Sequence, residues 1–151
     1  MRLKKTRDIL ELVRQFHQAV SDHCEQVSGA TDAKRLKLLL DYISEREQSL
    51  ADALTVFTEQ TPAPVLDTWF QYTGDDTAIY RLLDSNLNPA MTEDDLLRLI
   101  LRITDHFSDL YSDMVTASPA DKVRAVFQNL LDEELKGKEQ LARNFQMMAD
   151  L

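Results

Sequence analysis

The sequence contains few residues that break helices and almost no cysteine. Its 151 residues include three glycines, four prolines and one cysteine. Scarce glycine and proline predict long uninterrupted elements. The lone cysteine, Cys24, excludes an intrachain disulfide and a thiolate metal cluster, and we interpret it as a small buried apolar residue.

The sequence also lacks an excess of basic residues. It has 17 Lys and Arg against 26 Asp and Glu, a formal net charge of -9, whereas a nucleic-acid surface needs a basic face. The basic start "MRLKKTR" continues as "DILELVRQF" and not as a long apolar run, so neither a secretory signal nor a membrane anchor is predicted. We expect a soluble cytoplasmic protein with no nucleic-acid or membrane partner.

Apolar residues recur at helical spacing in four long stretches. The spacing predicts helices over about 6–27, 32–59, 92–116 and 119–149. With 44% hydrophobic residues, the whole chain, residues 1–151, suits one domain with a substantial core.

Capping residues flank these stretches. Thr92 precedes "EDD" and is a predicted N-cap, because acids in a first turn are favourable against the helix dipole. We expect Gly29 as a left-handed cap, Thr31 or Asp32 as the next N-cap, and Ser118 as the N-cap of the last helix.

The lengths of the connections predict the topology. Short turns join the first two helices and the last two, while a crossover of about 60–91 separates the pairs. A helix of about 27 residues spans roughly 40 Å, and the crossover is long enough to travel back along it. We therefore predict an all-α four-helix bundle with one long crossover that carries two short helices, "VLDTWFQY" and "AIYRLLDSNL".

The crossover concentrates aromatic residues. Trp69, Phe70 and Tyr72 lie within "PVLDTWFQYTG". We interpret this segment either as a lid that packs on the bundle or as a partner surface. The second interpretation predicts a homodimer.

Two acids occupy positions in the apolar stripes. Glu47 follows Ile43 and precedes Leu50 in "ISEREQSLADAL", and Glu134 interrupts the stripe of the last helix. Buried charge is costly without a partner. Lys138 lies one turn after Glu134 on the same face, so we predict an interior ion pair that involves Glu47, Glu134 and Lys138.

The short, long, short connections and the two inward acids resemble the ferritin-like superfamily, especially its rubrerythrin type. In that family these two helices each carry Glu-x-x-His, the other two each add a glutamate, and the six residues hold two iron ions. The matching tetrads here are "EQSL" and "ELKG", with Leu50 and Gly137 in place of the histidines. On the third helix the matching residue is Thr104, or Asp105 in a register shifted by one, and on the first it is His17 or Cys24.

The resemblance implies a degenerate di-iron site. Two carboxylates fall short of the donors that iron needs, so we expect no catalytic residues, no cofactor and no metal. The favoured hypothesis is a metal-free ferritin-like binding or regulatory protein. The alternative is a divergent metal-binding oxidoreductase or iron-handling protein that uses Glu47 and Glu134 with donors such as His17 or Asp105.

The three histidines stand apart from one another. His17, His23 and His106 lack a neighbouring His-x-x-His, Glu-x-x-His or cysteine pair. We therefore expect surface or helix-boundary positions for all three.

Overall fold

The fold is mainly helical. The structure, a computed structural model, describes residues 2–150. Across these residues it has six helices and one two-stranded sheet: β1 (Arg2–Lys5), α1 (Thr6–Ala30), α2 (Lys34–Gln60), α3 (Ala63–Leu66), β2 (Trp69–Tyr72), α4 (Ala78–Asn86), α5 (Glu93–Ala117) and α6 (Asp121–Ala149). The all-α prediction is confirmed, with the small sheet as an addition.

The four long helices form two pairs. Short turns at residues 31–33 and 118–120 connect α1 to α2 and α5 to α6, and each helix packs mainly against the other member of its pair. Buried apolar residues from all four helices belong to one hydrophobic core. On α1 these residues are Ile9, Leu10, Val13, Phe16, Val20 and Cys24, and each fully buried large apolar side chain contributes about 1.5–3 kcal/mol.

The cap predicted at Thr92 is confirmed. Its hydroxyl accepts a hydrogen bond from the backbone N–H of Asp95 at 3.0 Å, and the Asp95 carboxylate accepts one from the N–H of Thr92 at 3.2 Å. This reciprocal pair satisfies two donors that the helix itself leaves unbonded.

The caps predicted at the two tight turns are wrong. Helix α1 continues through Gly29 to Ala30, and the N-caps of α2 and α6 are Ala33 and Ala120. The Ser118 hydroxyl instead donates to the carbonyl of Met114 at 2.6 Å, because a hydroxyl at a helix end can bond backwards to the preceding turn.

Of the two short helices predicted in the crossover, "AIYRLLDSNL" is confirmed as α4. "VLDTWFQY" is helical only at Val65 and Leu66, the end of α3, and its aromatic part is a strand. β2 pairs antiparallel with β1, with Arg2 opposite Tyr72 and Lys5 opposite Trp69. Along β2, exposed and buried residues alternate, which is the period of a strand with one face on the core. The helical prediction for "WFQY" is therefore corrected.

The strand divides the predicted partner surface. Phe70 and Tyr72 are buried in the core, where the Phe70 ring lies edge to face with Phe127 at 5.5 Å. Only Trp69 stays exposed, with the Lys5 ammonium 5.3 Å from the centre of its ring. Two of the three aromatics thus seal the core.

None of the helices in residues 2–150 combines the length and the apolar character needed to span a membrane.

Candidate functional site

A cavity of about 440 Å³ opens between α2 and α6 and reaches residues of α1 and α5. One part of its wall is apolar and is formed by Leu50, Ala53, Leu54, Phe57 and Leu130. The other part is polar and includes His17, Arg46, Ser49, Tyr111, Glu133, Glu134 and Gln140. A cavity of this size with a few convergent polar groups is typical of small-molecule sites.

Glu47 lies beside this cavity with two partners. Its side chain is buried, and Oε2 lies 2.5 Å from Nδ1 of His17 while Oε1 lies 3.3 Å from Nη1 of Arg46. An ionised carboxylate only accepts hydrogen bonds, so the imidazole and the guanidinium both donate to it. Glu47 is thus a fully partnered interior carboxylate.

His17 is buried, which corrects the prediction of a surface position. Its side chain is 2% exposed, and its ring stacks on Phe107 with centroids 4.0 Å apart and planes at 9°. A signal in the sequence pointed to this position, because His17 lies four residues after Val13 and three before Val20, on the same stripe. Glu47 carries the same signal on its own helix, but no pattern within either helix indicated that the two side chains would meet.

Glu134 is buried without a partner. The residue is 7% exposed, and within residues 2–150 its carboxylate forms no hydrogen bond or ion pair. Burial raises the pKa of Glu134 to about 7; the positive charge of His17 and then of Arg46 oppose the rise, and the negative charge of Glu47 adds to it. Burial therefore makes this carboxylate easier to protonate than an exposed glutamate.

The predicted interior ion pair with Lys138 is not present. The Lys138 ammonium lies 2.6 Å from Oδ1 of Asp105, with both side chains substantially exposed at 39% and 53%. A long lysine side chain at the edge of the contact between α5 and α6 keeps its charged end in water. The same contact removes Asp105 from the interior, so Thr104, which is buried, is the inward residue of α5 at this level.

Arg46 supplies the positive charge that the sequence assigned to lysine. Its side chain is 16% exposed, and a Cβ atom placed on Gly137 would lie only 2.9 Å from its Nη2. Gly137 therefore leaves room for the guanidinium beside the two carboxylates. The helical pattern gave no indication of Arg46, because adjacent residues on a helix do not normally face the same way.

Few side chains near the cavity could bind a metal ion. In the described part of the chain, no three His, Cys, Asp or Glu side chains are placed to hold a metal ion. Burial, followed by the charge of Glu47, raises the pKa of Cys24 to about 12, so it remains a thiol. What the site offers chemically is one unpaired carboxylate, one guanidinium and an apolar wall.

A scan against protein-family models, a search of curated proteins and a search of solved structures each found no match to this chain. The fold and the cavity together define an all-α protein with an open recess that has an apolar wall and a polar wall. Its function is inferred from the residues of that recess.

Proposed function

We propose that the protein is a metal-free, ferritin-like four-helix bundle that binds a small molecule, as a carrier or a regulatory sensor. The observation that carries the proposal is the cavity itself, where an apolar wall faces the polar groups of Arg46, Tyr111 and Glu134. Binding sites commonly combine one apolar surface with a few polar groups that orient the ligand.

The position of Arg46 supports the absence of a metal ion. In the ferritin-like pattern, Gly137 matches a histidine ligand, and here the guanidinium fills the space over that glycine. A fixed positive charge 3.3 Å from Glu47 provides the attraction that a cation would otherwise provide, and it repels a metal ion placed nearby. Leu50, which matches the other histidine, adds apolar surface to the cavity.

Elemental analysis of protein expressed in iron-supplemented medium tests this part. We expect well below one iron or manganese ion per chain. One observation favours the alternative of a metal-binding oxidoreductase or iron-handling protein: His17 contacts Glu47 at 2.5 Å, and His17 and Glu134 line the same cavity. Stoichiometric iron or manganese that is lost in Glu47→Gln would establish that alternative.

Binding to the cavity is tested with a neutral probe, 4-phenylbutan-1-ol, followed by NMR chemical-shift changes. Ala53 lies on the cavity wall and is exposed, so Ala53→Trp should fill the opening without disturbing the core. Ala125→Trp, on an exposed position of α6 outside the cavity, is the matched control. We expect binding in the parent protein and in the control and its loss in Ala53→Trp, whereas equal binding in all three would place the probe elsewhere.

We further propose a cytoplasmic homodimer. Leu3 and Trp69 on the two-stranded sheet are 67% and 55% exposed, and large exposed apolar side chains favour association. Light scattering after size exclusion should show a dimer that Trp69→Ser weakens. A monomer at high concentration would contradict this part and leave the cavity proposal standing.

A further inference from the structure

Glu134 on the cavity wall has neither a hydrogen-bond donor nor a cation beside its carboxylate among residues 2–150. The Glu134 residue is 7% exposed and its carboxylate meets solvent only through the cavity, so its charge is poorly hydrated and has no donor to compensate for this. Native proteins almost always pair such groups. Since Glu134 lines the cavity, a ligand in the cavity is in a position to provide the donor.

Arg46 does not pair with Glu134. One of its nitrogens already donates to Glu47, and its guanidinium lies over Gly137, one turn along the helix from Glu134. Lys138, the nearest lysine in sequence on the same face, binds Asp105 at the surface. The nearby Lys136 pairs with the exposed Glu133 at 3.7 Å.

Glu134 differs from the other two carboxylates at the cavity in having no cationic partner among residues 2–150. Glu47 contacts His17 and Arg46, and Glu133, which also lines the cavity, pairs with Lys136. A ligand that carries an anion would place a second negative charge beside Glu134. A cationic ligand would neutralise Glu134.

We infer that the ligand is an organic cation with an apolar body, such as an arylalkyl or alkyl amine, whose ammonium group binds the carboxylate of Glu134. The ammonium donates to the carboxylate, and the apolar body lies against Leu54, Phe57 and Leu130. Tyr111 also lines the cavity, and aromatic side chains attract cations. This inference rests on the proposed function and names the class of its ligand.

The test compares three probes of the same shape: 4-phenylbutylamine, 4-phenylbutan-1-ol and 4-phenylbutanoate. Their dissociation constants are measured by calorimetry at about pH 8, where Glu134 is largely ionised and the amine is protonated. We expect the amine to bind at least about tenfold more tightly than the alcohol, and the acid to bind most weakly.

Two variants give the control. Glu134→Gln keeps the size of the side chain and removes its charge, so the advantage of the amine over the alcohol should fall to about twofold or less. Glu133→Gln removes the neighbouring, exposed charge and should change that ratio by less than about threefold, because exposed charges are screened. Circular dichroism establishes that both variants fold.

The outcomes separate the two proposals. Tightest binding by the acid, or an amine preference that survives in Glu134→Gln, overturns the organic cation and leaves a small-molecule site. Failure of all three probes together with stoichiometric metal overturns both. Failure of all three without metal overturns the cation and the cavity as a binding site.

Discussion

Glu47 and Glu134 are the same residue type in matching positions of α2 and α6, and their surroundings differ. Both are buried, at 1% and 7% exposure. Glu47 accepts hydrogen bonds from His17 and Arg46, whereas Glu134 faces a cavity and has no bonded partner among residues 2–150. An interior carboxylate with two donors holds helices together, and one without donors is available to a ligand.

The largest effect on stability is expected when the contact between His17 and Glu47 is removed. His17→Ala removes one donor from Glu47 and the ring that stacks on Phe107. Leaving a buried carboxylate one donor short costs about 1–3 kcal/mol, and truncating a buried, stacked ring costs about 3–5 kcal/mol, so the free energy of unfolding in urea should fall by about 3–5 kcal/mol. His23→Ala, on the half-buried face of the same helix, should cost less than about 1 kcal/mol. Similar losses for both variants would contradict the special role of His17.

The second-largest effect is the pH dependence of stability that the unpaired Glu134 causes. The pKa of Glu134 rises from 4.5 to about 7 in the folded protein. As the pH increases, the unfolded chain therefore releases this proton at a lower pH than the folded protein does. Stability contributed by this group is therefore present at low pH and is lost as the pH rises between these values. Relative to Glu134→Gln, the parent should lose about 3 kcal/mol between about pH 4 and pH 8.

Denaturant unfolding across this pH range measures the difference between the two proteins. Glu133→Gln serves as the comparison, since the neighbouring Glu133 is exposed and its removal should leave the slope nearly unchanged. A Glu134→Gln variant with the same pH profile as the parent would show that this carboxylate has a partner in solution.

The smallest effect concerns the lysine that the sequence assigned to the interior. Lys138→Ala breaks an exposed pair with Asp105, and such pairs contribute about 0.2–1 kcal/mol. It should leave the pKa of Glu134 unchanged in a carbon-13 NMR titration. Arg46→Ala should raise that pKa, because the guanidinium favours the ionised form. A larger rise of the Glu134 pKa in Lys138→Ala than in Arg46→Ala would support the predicted ion pair between Glu134 and Lys138.

Helical periodicity predicted much of this molecule because it is a local property. The four long helices begin and end within a few residues of their expected positions, and both interrupting acids lie inside, as their spacing implied. The N-cap at Thr92 is equally local, since hydroxyl and carboxylate are three residues apart.

Contacts between distant segments escaped prediction. The strand at Trp69–Tyr72 exists only because Arg2–Lys5 pairs with it, and four residues carry too little periodicity to reveal it. The turn residues Thr31 and Ser118 carried cap signals, yet the Thr31 hydroxyl donates to the distant carbonyl of Pro89 at 2.9 Å.

The sequence by itself determined that this chain forms long amphipathic helices and that Glu47 and Glu134 face inward, because side-chain direction follows from the helical repeat alone. Only the tertiary structure decided which carboxylate obtained a partner. His17 approaches Glu47 from another helix, Arg46 turns into the space that Gly137 leaves open, and Lys138 lies at the edge of the interface. The packing of one helix against another sets these distances, and no local pattern encodes them.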